Sequence, residues 1–186
     1  MIKYAPGIKN NLSSKPINYR NRGMSFESEI NQSNSYYSSI KKAFIYKKPT
    51  PIKIVKAIPY NNSYRIVEAY FDSPSTTDYN GIYKGQYIDF EAKETNSNTS
   101  FPFHNIHQNQ INHLFNIIDS GGIAFLLIRF IKVNQVYLYD AKKLKNDIEN
   151  NKKSIKLETI KKEGFLVPSL YQCPINYLKI IDDYFL

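Results

Sequence analysis

Two acidic residues and one lysine near the middle of the chain have the types and spacing of a metal-dependent site for phosphoryl chemistry. They are Asp78, Glu91 and Lys93. Carboxylate oxygens are ligands that hard cations such as Mg²⁺ prefer, and a nearby ammonium group can stabilise charge that develops on phosphorus. An acid followed by Glu-x-Lys is common by chance, so the pattern matters only if the fold brings the three side chains together.

A tight hairpin would bring them together. Residues 76–93 read as two strands, and the second alternates between an apolar face (Ile88, Phe90, Ala92) and a polar face (Tyr87, Asp89, Glu91, Lys93). If Lys84-Gly85 is a two-residue loop, with glycine supplying a positive φ, Asp78 lies opposite Glu91 and Thr76 opposite Lys93. Directly opposed side chains have Cβ atoms about 5 Å apart, so the two carboxylates repel each other unless a cation lies between them.

A second register is open. Asn80-Gly81 is a stronger hairpin dipeptide, and a turn there would pair Asp78 with Tyr83 and separate the two acids. It would also leave a very short first strand, so we favour the turn at Lys84-Gly85. In either register Asp89 lies on the same face as Glu91 and is a rival metal ligand.

Composition limits the class of protein. The chain has 186 residues, 42% of them hydrophobic and 22% charged, which predicts one domain with a full core. The net charge of +9 favours a polyanionic partner, either nucleic acid or an anionic membrane surface. No apolar run approaches the ~20 residues that span a bilayer. The single cysteine, Cys173, excludes an internal disulfide, and with no apolar leader at the start we expect a cytoplasmic protein without a membrane partner.

Hydrophobic periodicity predicts the elements around the hairpin. We expect a helix over residues 25–40 with Ser25 as its N-cap, and a second, clearer helix carrying Ile111, Leu114 and Ile118. The apolar run 123–128 predicts a strand covered on both faces. Hairpin strand, helix and buried strand in succession predict a crossover with parallel strands. Further strands are expected over residues 43–46, 52–58, 64–71 and 136–139, a surface helix and loop over 141–164, and a closing helix over 175–185.

The second helix begins close to the hairpin in the predicted crossover. Its first turn, His107-Gln108-Asn109-Gln110, follows the strand that carries Glu91 and can return near the end of that strand. Gln110 could then touch a metal-bound water or a ligand directly. Capping or surface hydrogen bonding is the other explanation for a glutamine at a helix start.

Basic residues concentrate in two parts of the chain. Residues 1–22 contain five basic residues and no acid, which is typical either of a flexible solubilising tail or of an arm that lies on phosphates. Residues 46–65 interleave lysines and an arginine with tyrosines, which suits nucleic acid, although a solvated hairpin is the alternative. The candidate DNA-binding residues are Arg20, Arg22, Lys47, Lys48, Lys53, Lys56 and Arg65.

Several stretches, taken together, resemble the RecU family of Holliday junction resolvases. They are Asn21-Arg22-Gly23-Met24, Tyr46-Lys47-Lys48-Pro49-Thr50-Pro51-Ile52, Ser75-Thr76-Thr77-Asp78-Tyr79-Asn80-Gly81, Gly85-Gln86-Tyr87-Ile88-Asp89-Phe90-Glu91-Ala92-Lys93-Glu94-Thr95 and Thr99-Ser100-Phe101-Pro102. They occur in one order over nearly all of the chain after about Asn21. The length of this signature makes it specific.

The resemblance implies an α/β, restriction-endonuclease-like fold with a mixed β-sheet flanked by helices and a protruding β stalk. The stalk would be residues 54–70, within a single nuclease domain 23–186 that follows the basic arm 1–22. It also implies a homodimer that binds four-way junction DNA, with the stalk entering the junction centre, and recombination proteins as further partners. The expected stalk tip, Asn61-Asn62-Ser63, lacks the basic residues that such a contact would favour.

By motif match, the resemblance assigns roles to individual residues. Asp78 and Glu91 would be metal ligands, Lys93 the transition-state stabiliser, and Thr76 and Gln110 further contributors to a Mg²⁺ site that Mn²⁺ can also occupy. The family tends to show His-x-His-Gln at the helix start, where this chain has Asn109 before Gln110. That departure leaves Gln110 in place and removes one histidine.

Three functions are compatible with these residues. The resemblance implies an Mg-dependent endodeoxyribonuclease that resolves Holliday junctions by symmetric nicking in recombination and repair. A duplex-specific nuclease of the same fold would share the site and differ in the DNA that it embraces. A non-catalytic DNA-binding recombination accessory protein would be expected to have lost an acid or the lysine, and this chain has lost neither.

Overall fold

The computed structural model describes residues 25–72 and 76–186. The helices of this part are α1 (Phe26–Ser39), α2 (Gln108–Asp119), α3 (Ala141–Glu149), α4 (Leu157–Glu163) and α5 (Tyr177–Tyr184). The strands are β1 (Phe44–Lys47), β2 (Ile52–Tyr60), β3 (Ser63–Phe71), β4 (Tyr79–Tyr83), β5 (Gln86–Thr95), β6 (Ser100–Pro102), β7 (Ile123–Phe130), β8 (Gln135–Asp140), β9 (Ser154–Lys156) and β10 (Phe165–Leu166). The predicted basic arm, with Arg20 and Arg22, lies outside the described residues.

The main sheet is mixed and is covered by helices on both faces. Its six strands run in the order β1-β4-β5-β7-β8-β10, and β5 and β7 are parallel while the other neighbouring pairs are antiparallel. Apolar residues of α1 and α5 pack on one face, among them Phe26, Ile30 and Leu178. Residues of α2, α3 and α4 pack on the other. The expected α/β architecture and the parallel crossover from β5 through α2 to β7 are confirmed.

The hairpin β4–β5 has the register that places the acids together. Lys84 and Gly85 form the turn with φ values of 48° and 78°, and Tyr79 pairs with Phe90. The rival turn at Asn80-Gly81 is excluded, because Gly81 pairs with Ile88 inside the ladder.

One detail of the predicted hairpin is wrong. The ladder ends at the Tyr79–Phe90 pair, so Thr76 and Asp78 precede the strand and Thr76 does not pair with Lys93. The physical reason is that the Asp78 carboxylate itself accepts the Ala92 N–H, at 3.1 Å, in place of a backbone carbonyl.

The strands β2 and β3 form a separate two-stranded ribbon, which is the expected stalk. Every residue of both strands is exposed, including large apolar side chains such as Tyr64 and Phe71. The tip turns at Asn61, which has a φ of 51°, and the ladder is irregular around Lys56. The ribbon is slightly longer than residues 54–70, because pairing begins at Ile52 and Phe71.

The prediction for residues 141–164 is incomplete. In place of a surface helix and loop, the structure has α3, the short strand β9 paired with β6, and α4. Leu144, Ile155 and Ile160 are buried in the core beneath α2. The many lysines between these apolar residues hide their spacing in the sequence, although none of these lysines is buried.

Gly81→Ala is expected to destabilise the protein strongly, because a Cβ there would lie 2.5 Å from Ile45 Cα and closer still to the Phe44 carbonyl oxygen. Both are backbone atoms of β1, so the β1–β4 pairing must shift, and we expect a loss of about 3 kcal/mol or more in the free energy of unfolding. Urea denaturation measures it.

The matched control is Gly85→Asn, because Gly85 has a positive φ and open space around its Cβ position. Asparagine tolerates that conformation, so the expected loss is less than about 1 kcal/mol. Equal effects of the two substitutions would contradict the close approach of β1 to Gly81.

Candidate active site

The hairpin brings the predicted catalytic residues into one group. The Asp78 backbone N–H donates to Glu91 Oε2 at 3.0 Å, and the Asp78 carboxylate accepts the Ala92 N–H. Lys93 Nζ lies 2.8 Å from Glu91 Oε1. The Glu91 side chain is fully buried, while the Lys93 side chain is 22% exposed. Asp78, Glu91 and Lys93 therefore meet at the open end of the β4–β5 pair.

The first turn of α2 adds Gln110 to this group. Its Oε1 accepts the His107 N–H at 3.0 Å, which caps the helix start, and its Nε2 donates to Glu91 Oε1 at 2.7 Å. The capping explanation for Gln110 is therefore confirmed, and the other end of the amide contacts the acid, while its contact with a metal-bound water or a ligand stays a prediction. Gln110 is itself buried.

The electrostatics of Glu91 are unfavourable. Burial, and after it the charge of Asp78, raise its pKa to about 7, against the opposing effect of Lys93. The group contains two acids, Asp78 and Glu91, and one ammonium, Lys93, which pairs with Glu91, so it carries an excess of negative charge when both acids are ionised. Two carboxylates arranged in this way fit a hard divalent cation, which would supply the missing positive charge.

The predicted rival ligand, Asp89, belongs to a separate group of side chains. It is fully buried, and its Oδ2 lies 2.7 Å from Lys48 Nζ, 3.0 Å from the Tyr87 hydroxyl and 3.1 Å from His113 Nε2. The Thr77 hydroxyl donates to Oδ1. The charge of Asp89 is thus balanced by Lys48, whereas Glu91 has the second acid Asp78 beside its lysine.

Sequence comparison identifies the family. The profile described as RecU: Recombination protein U matches residues 21–183. The chain belongs to the RecU family. It is 50% identical over 184 residues to a protein of Staphylococcus carnosus, covering 95% of this chain and 87% of that one, and 50% identical over 171 residues to one of Oceanobacillus iheyensis, covering 88% and 86%. A Bacillus thuringiensis protein is 44% identical over 193 residues, covering 97% and 96%. All three relatives are named Holliday junction resolvase RecU.

A solved structure is also similar. It is that of Archaeoglobus fulgidus Hjc, described as a Holliday junction resolvase from an archaeal hyperthermophile. The match has a TM-score of 0.43 and 10% sequence identity, and it covers 77% of this chain and 93% of that one.

The other predicted site residues of this RecU family member differ in their exposure and in their hydrogen-bonding partners. Thr76 is exposed, and its hydroxyl accepts a hydrogen bond from Lys48 Nζ at 3.1 Å. Lys48 points inward to Asp89, whereas Lys47 is exposed and pairs with Glu27 at 2.6 Å. The ribbon carries Lys53, Lys56 and Arg65, all exposed. The ligand role of Thr76 and the DNA contacts of these basic residues stay predictions.

Two members of the Asp89 group, Thr77 and His113, were not predicted. His113 lies three residues after Gln110, so both side chains lie on one face of α2. This i, i+3 spacing is a sequence signal that could have identified His113 from Gln110. Thr77 had no comparable signal, because it lies outside the strand ladder and alternation does not apply to it.

Residues 25–72 and 76–186 contain neither a cluster of metal ligands nor a helix that could span a membrane. No group of three or more His, Cys, Asp or Glu side chains is arranged to hold a metal ion. Two carboxylates are sufficient for Mg²⁺, which keeps several waters and commonly takes its other ligands from substrate phosphates. In the same residues, no helix has both the length and the apolar character that crossing a bilayer requires.

The raised pKa of Glu91 predicts a specific dependence of stability on pH in the presence of chelator. A carboxyl whose pKa is higher in the folded state stabilises the protein when protonated, and this stability is lost as the pH rises. Relative to Glu91→Gln, the wild type should therefore lose stability from pH 4.5 to about 7 and no more above that range. The total is about 3 kcal/mol, and urea denaturation at each pH measures it.

Glu158→Gln is the control, because Glu158 is an exposed acid whose side chain is 75% accessible. Its stability should follow the wild type at every pH. Parallel pH profiles for the wild type and Glu91→Gln would mean that Glu91 is not strained by burial and by Asp78.

Proposed function

We propose that the chain is a structure-specific endonuclease that resolves four-way DNA junctions by Mg²⁺-dependent, symmetric nicking in recombination and repair. The observation that carries the proposal is the buried Glu91, which contacts Asp78, Lys93 and Gln110 in a member of a family whose close relatives are named Holliday junction resolvases. The net charge of +9 supports a polyanionic substrate.

The residues of the site have separable tasks. Asp78 and Glu91 would hold the cation, with Thr76 and Gln110 as further contributors. Bound Mg²⁺, or Mn²⁺ in its place, supplies Lewis-acid stabilisation of the scissile phosphate. The Gln110 amide fixes the orientation of the Glu91 carboxylate, through its bond of 2.7 Å to Oε1. The Asp78 carboxylate is fixed in the same way by the backbone N–H of Ala92.

Lys93 supplies the positive charge that the transition state needs. Water attacks phosphorus in line and the 3′-oxygen leaves, so negative charge builds up on the equatorial oxygens. The Lys93 ammonium is partly exposed beside the buried acid, which allows it to reach a phosphate that approaches from solvent. This placement supports its role as the transition-state stabiliser.

The exposed ribbon is the proposed junction-recognition element. Its two strands are exposed along their whole length and carry basic and aromatic residues, with the Arg65 guanidinium 5.8 Å from the Tyr60 ring centroid. A homodimer would place two sites on opposed strands of one junction and thereby give two ligatable duplexes. The basic arm would add phosphate contacts, and the free, buried Cys173 accords with a reducing cytoplasm.

Lys93→Ala and Glu91→Ala are expected to fold and to bind a synthetic mobile four-way junction without cutting it. Removing the charge that stabilises the transition state should lower the nicking rate by at least about a hundredfold. The measurement is the appearance of symmetrically paired nicks on end-labelled junctions, with Mg²⁺ or with chelator. Lys179→Ala, which removes an exposed lysine paired with Asp183, is the control and should cut normally.

Cleavage by either site variant at the wild-type rate would contradict the assignment of Lys93 or Glu91. Equal nicking of a junction and of plain duplex by the wild type would instead favour the duplex-specific nuclease. Binding of the junction without any cleavage would favour the accessory protein.

The ribbon is expected to bind phosphates of the junction. Replacing Lys53, Lys56 and Arg65 together by glutamine should reduce the slope of log K against log salt by about 0.9 for each phosphate that the ribbon no longer neutralises. Fluorescence anisotropy with a labelled junction in chelator measures the slope. The control replaces Lys145, Lys161 and Lys179 on the helices by glutamine, which removes the same charge. An equal change of slope in both proteins would mean that the ribbon acts only through net charge.

A further inference from the structure

Lys48 occupies an unusual position between the ribbon and the site. It directly follows the last residue of β1, and three residues separate it from the first strand of the ribbon. Its backbone N–H donates to the Asp78 carbonyl oxygen at 2.8 Å, and its ammonium lies 2.7 Å from Asp89 Oδ2 on β5. A single residue at the root of the ribbon is thus bonded to the segment before β4 and to β5.

The ammonium of Lys48 is directed into the protein. The side chain is only 15% exposed and its charge partner Asp89 is fully buried. The same nitrogen contacts the Thr77 hydroxyl at 2.6 Å, the Thr76 hydroxyl at 3.1 Å and His113 Nε2 at 3.3 Å. A lysine ammonium has three protons to donate, so these partners use its whole hydrogen-bonding capacity.

The segment that Lys48 contacts is the one that strand pairing leaves free. The β4–β5 ladder ends at Tyr79, so the positions of Thr76, Thr77 and Asp78 are not set by backbone pairing with β5. Lys48 bonds to all three of these consecutive residues, through two hydroxyls and one carbonyl. Its bond to Asp89 then connects them to β5, two residues from Glu91.

We propose that Lys48 is a positioning residue, a latch that holds the 76–78 segment and the root of the ribbon against β5 and so supports the direct contacts of Asp78 with Glu91 and Ala92. Asp89 is the fixed counter-ion of this latch and not a metal ligand. This inference rests on the proposed function only for its catalytic consequence. The effect of Lys48 on the order of residues 76–78 can be tested whether or not the protein cleaves DNA.

The variant that tests the latch must leave no buried charge behind. Lys48→Met alone would strand the Asp89 carboxylate, which is strongly destabilising. The test protein is therefore Lys48→Met with Asp89→Asn, which removes both charges and keeps a polar group for Thr77 and Tyr87. Lys145→Met with Asp119→Asn is the matched control, because it removes a lysine–aspartate pair at 2.9 Å that joins α3 to α2.

Three measurements separate positioning from other roles. Hydrogen–deuterium exchange of a peptide that covers residues 76–80 reports the order of the segment without metal or DNA. The Mg²⁺ concentration that gives half-maximal nicking reports the geometry of the site. Junction affinity in chelator reports direct DNA contact.

The test variant should exchange about tenfold faster at residues 76–80, as a locally opening segment does. Its half-saturating Mg²⁺ concentration should rise by about tenfold to a hundredfold, the usual effect of removing a group that orients metal ligands. Junction affinity in chelator should be unchanged, because the ammonium of Lys48, which the sequence made a candidate for DNA binding, is directed into the protein. Lys48→Arg, which keeps the cation, should recover part of the loss, and the control pair should behave as the wild type.

Unchanged exchange at residues 76–80 would overturn the proposal, and so would an unchanged Mg²⁺ response. Lost junction affinity with normal exchange would show that Lys48 contacts phosphate instead. If the wild type nicks no junction, the proposed function fails, while exchange and Mn²⁺ binding followed by electron paramagnetic resonance still decide the latch.

If the double variant folds poorly by circular dichroism, Thr77→Val replaces it. Faster exchange at residues 76–80 in Thr77→Val would support the latch, and exchange at the wild-type rate would overturn it.

Discussion

The site depends on the proximity of two carboxylates, Asp78 and Glu91, at the open end of the β4–β5 hairpin. Glu91 is fully buried and accepts a hydrogen bond from the backbone N–H of Asp78. The Asp78 carboxylate in turn accepts the N–H of Ala92, the residue after Glu91 on β5. Burial and the charge of Asp78 raise the pKa of Glu91 to about 7, against the opposing effect of Lys93. Such a pair is costly in a folded chain, and it is retained where a cation or a proton completes it.

Two acids on one face of β5 have different electrostatic roles. Asp89 and Glu91 are both fully buried and lie two residues apart, so alternation alone makes them equivalent candidates. Asp89 has a lysine to itself, together with three further hydrogen-bonding partners. Glu91 also pairs with a lysine, Lys93, but it has the second acid Asp78 beside it, and its other donors are the neutral Gln110 amide and the Asp78 backbone N–H. The difference in charge balance, since burial is the same, distinguishes Asp89 from Glu91, the proposed metal ligand.

Local chemistry predicted the part of the site that the hairpin builds. The Lys84-Gly85 turn set the register, alternation set the face of Glu91 and Lys93, and the crossover rule placed Gln110 near the end of β5. The termination of the ladder at Tyr79 was not predictable, because it depends on one side chain replacing a backbone acceptor. The inward direction of Lys48 was also missed, since its partner Asp89 is 41 residues away in sequence. Long-range pairing of charges leaves no periodic signal.

The β2–β3 ribbon needs stabilising contacts, and the bonds at its root supply some of them. An isolated two-stranded ribbon is marginally stable in water, and this one exposes large apolar side chains on both strands. At its base the two strands are joined to each other by the Asp72 N–H, which donates to the Pro51 carbonyl oxygen, and the first strand is bonded to the domain through Lys48. The residue that anchors the first strand also bonds to Thr76, Thr77 and Asp78. The proposed recognition element and the segment that carries a proposed metal ligand are therefore attached to the domain through the same residue, Lys48.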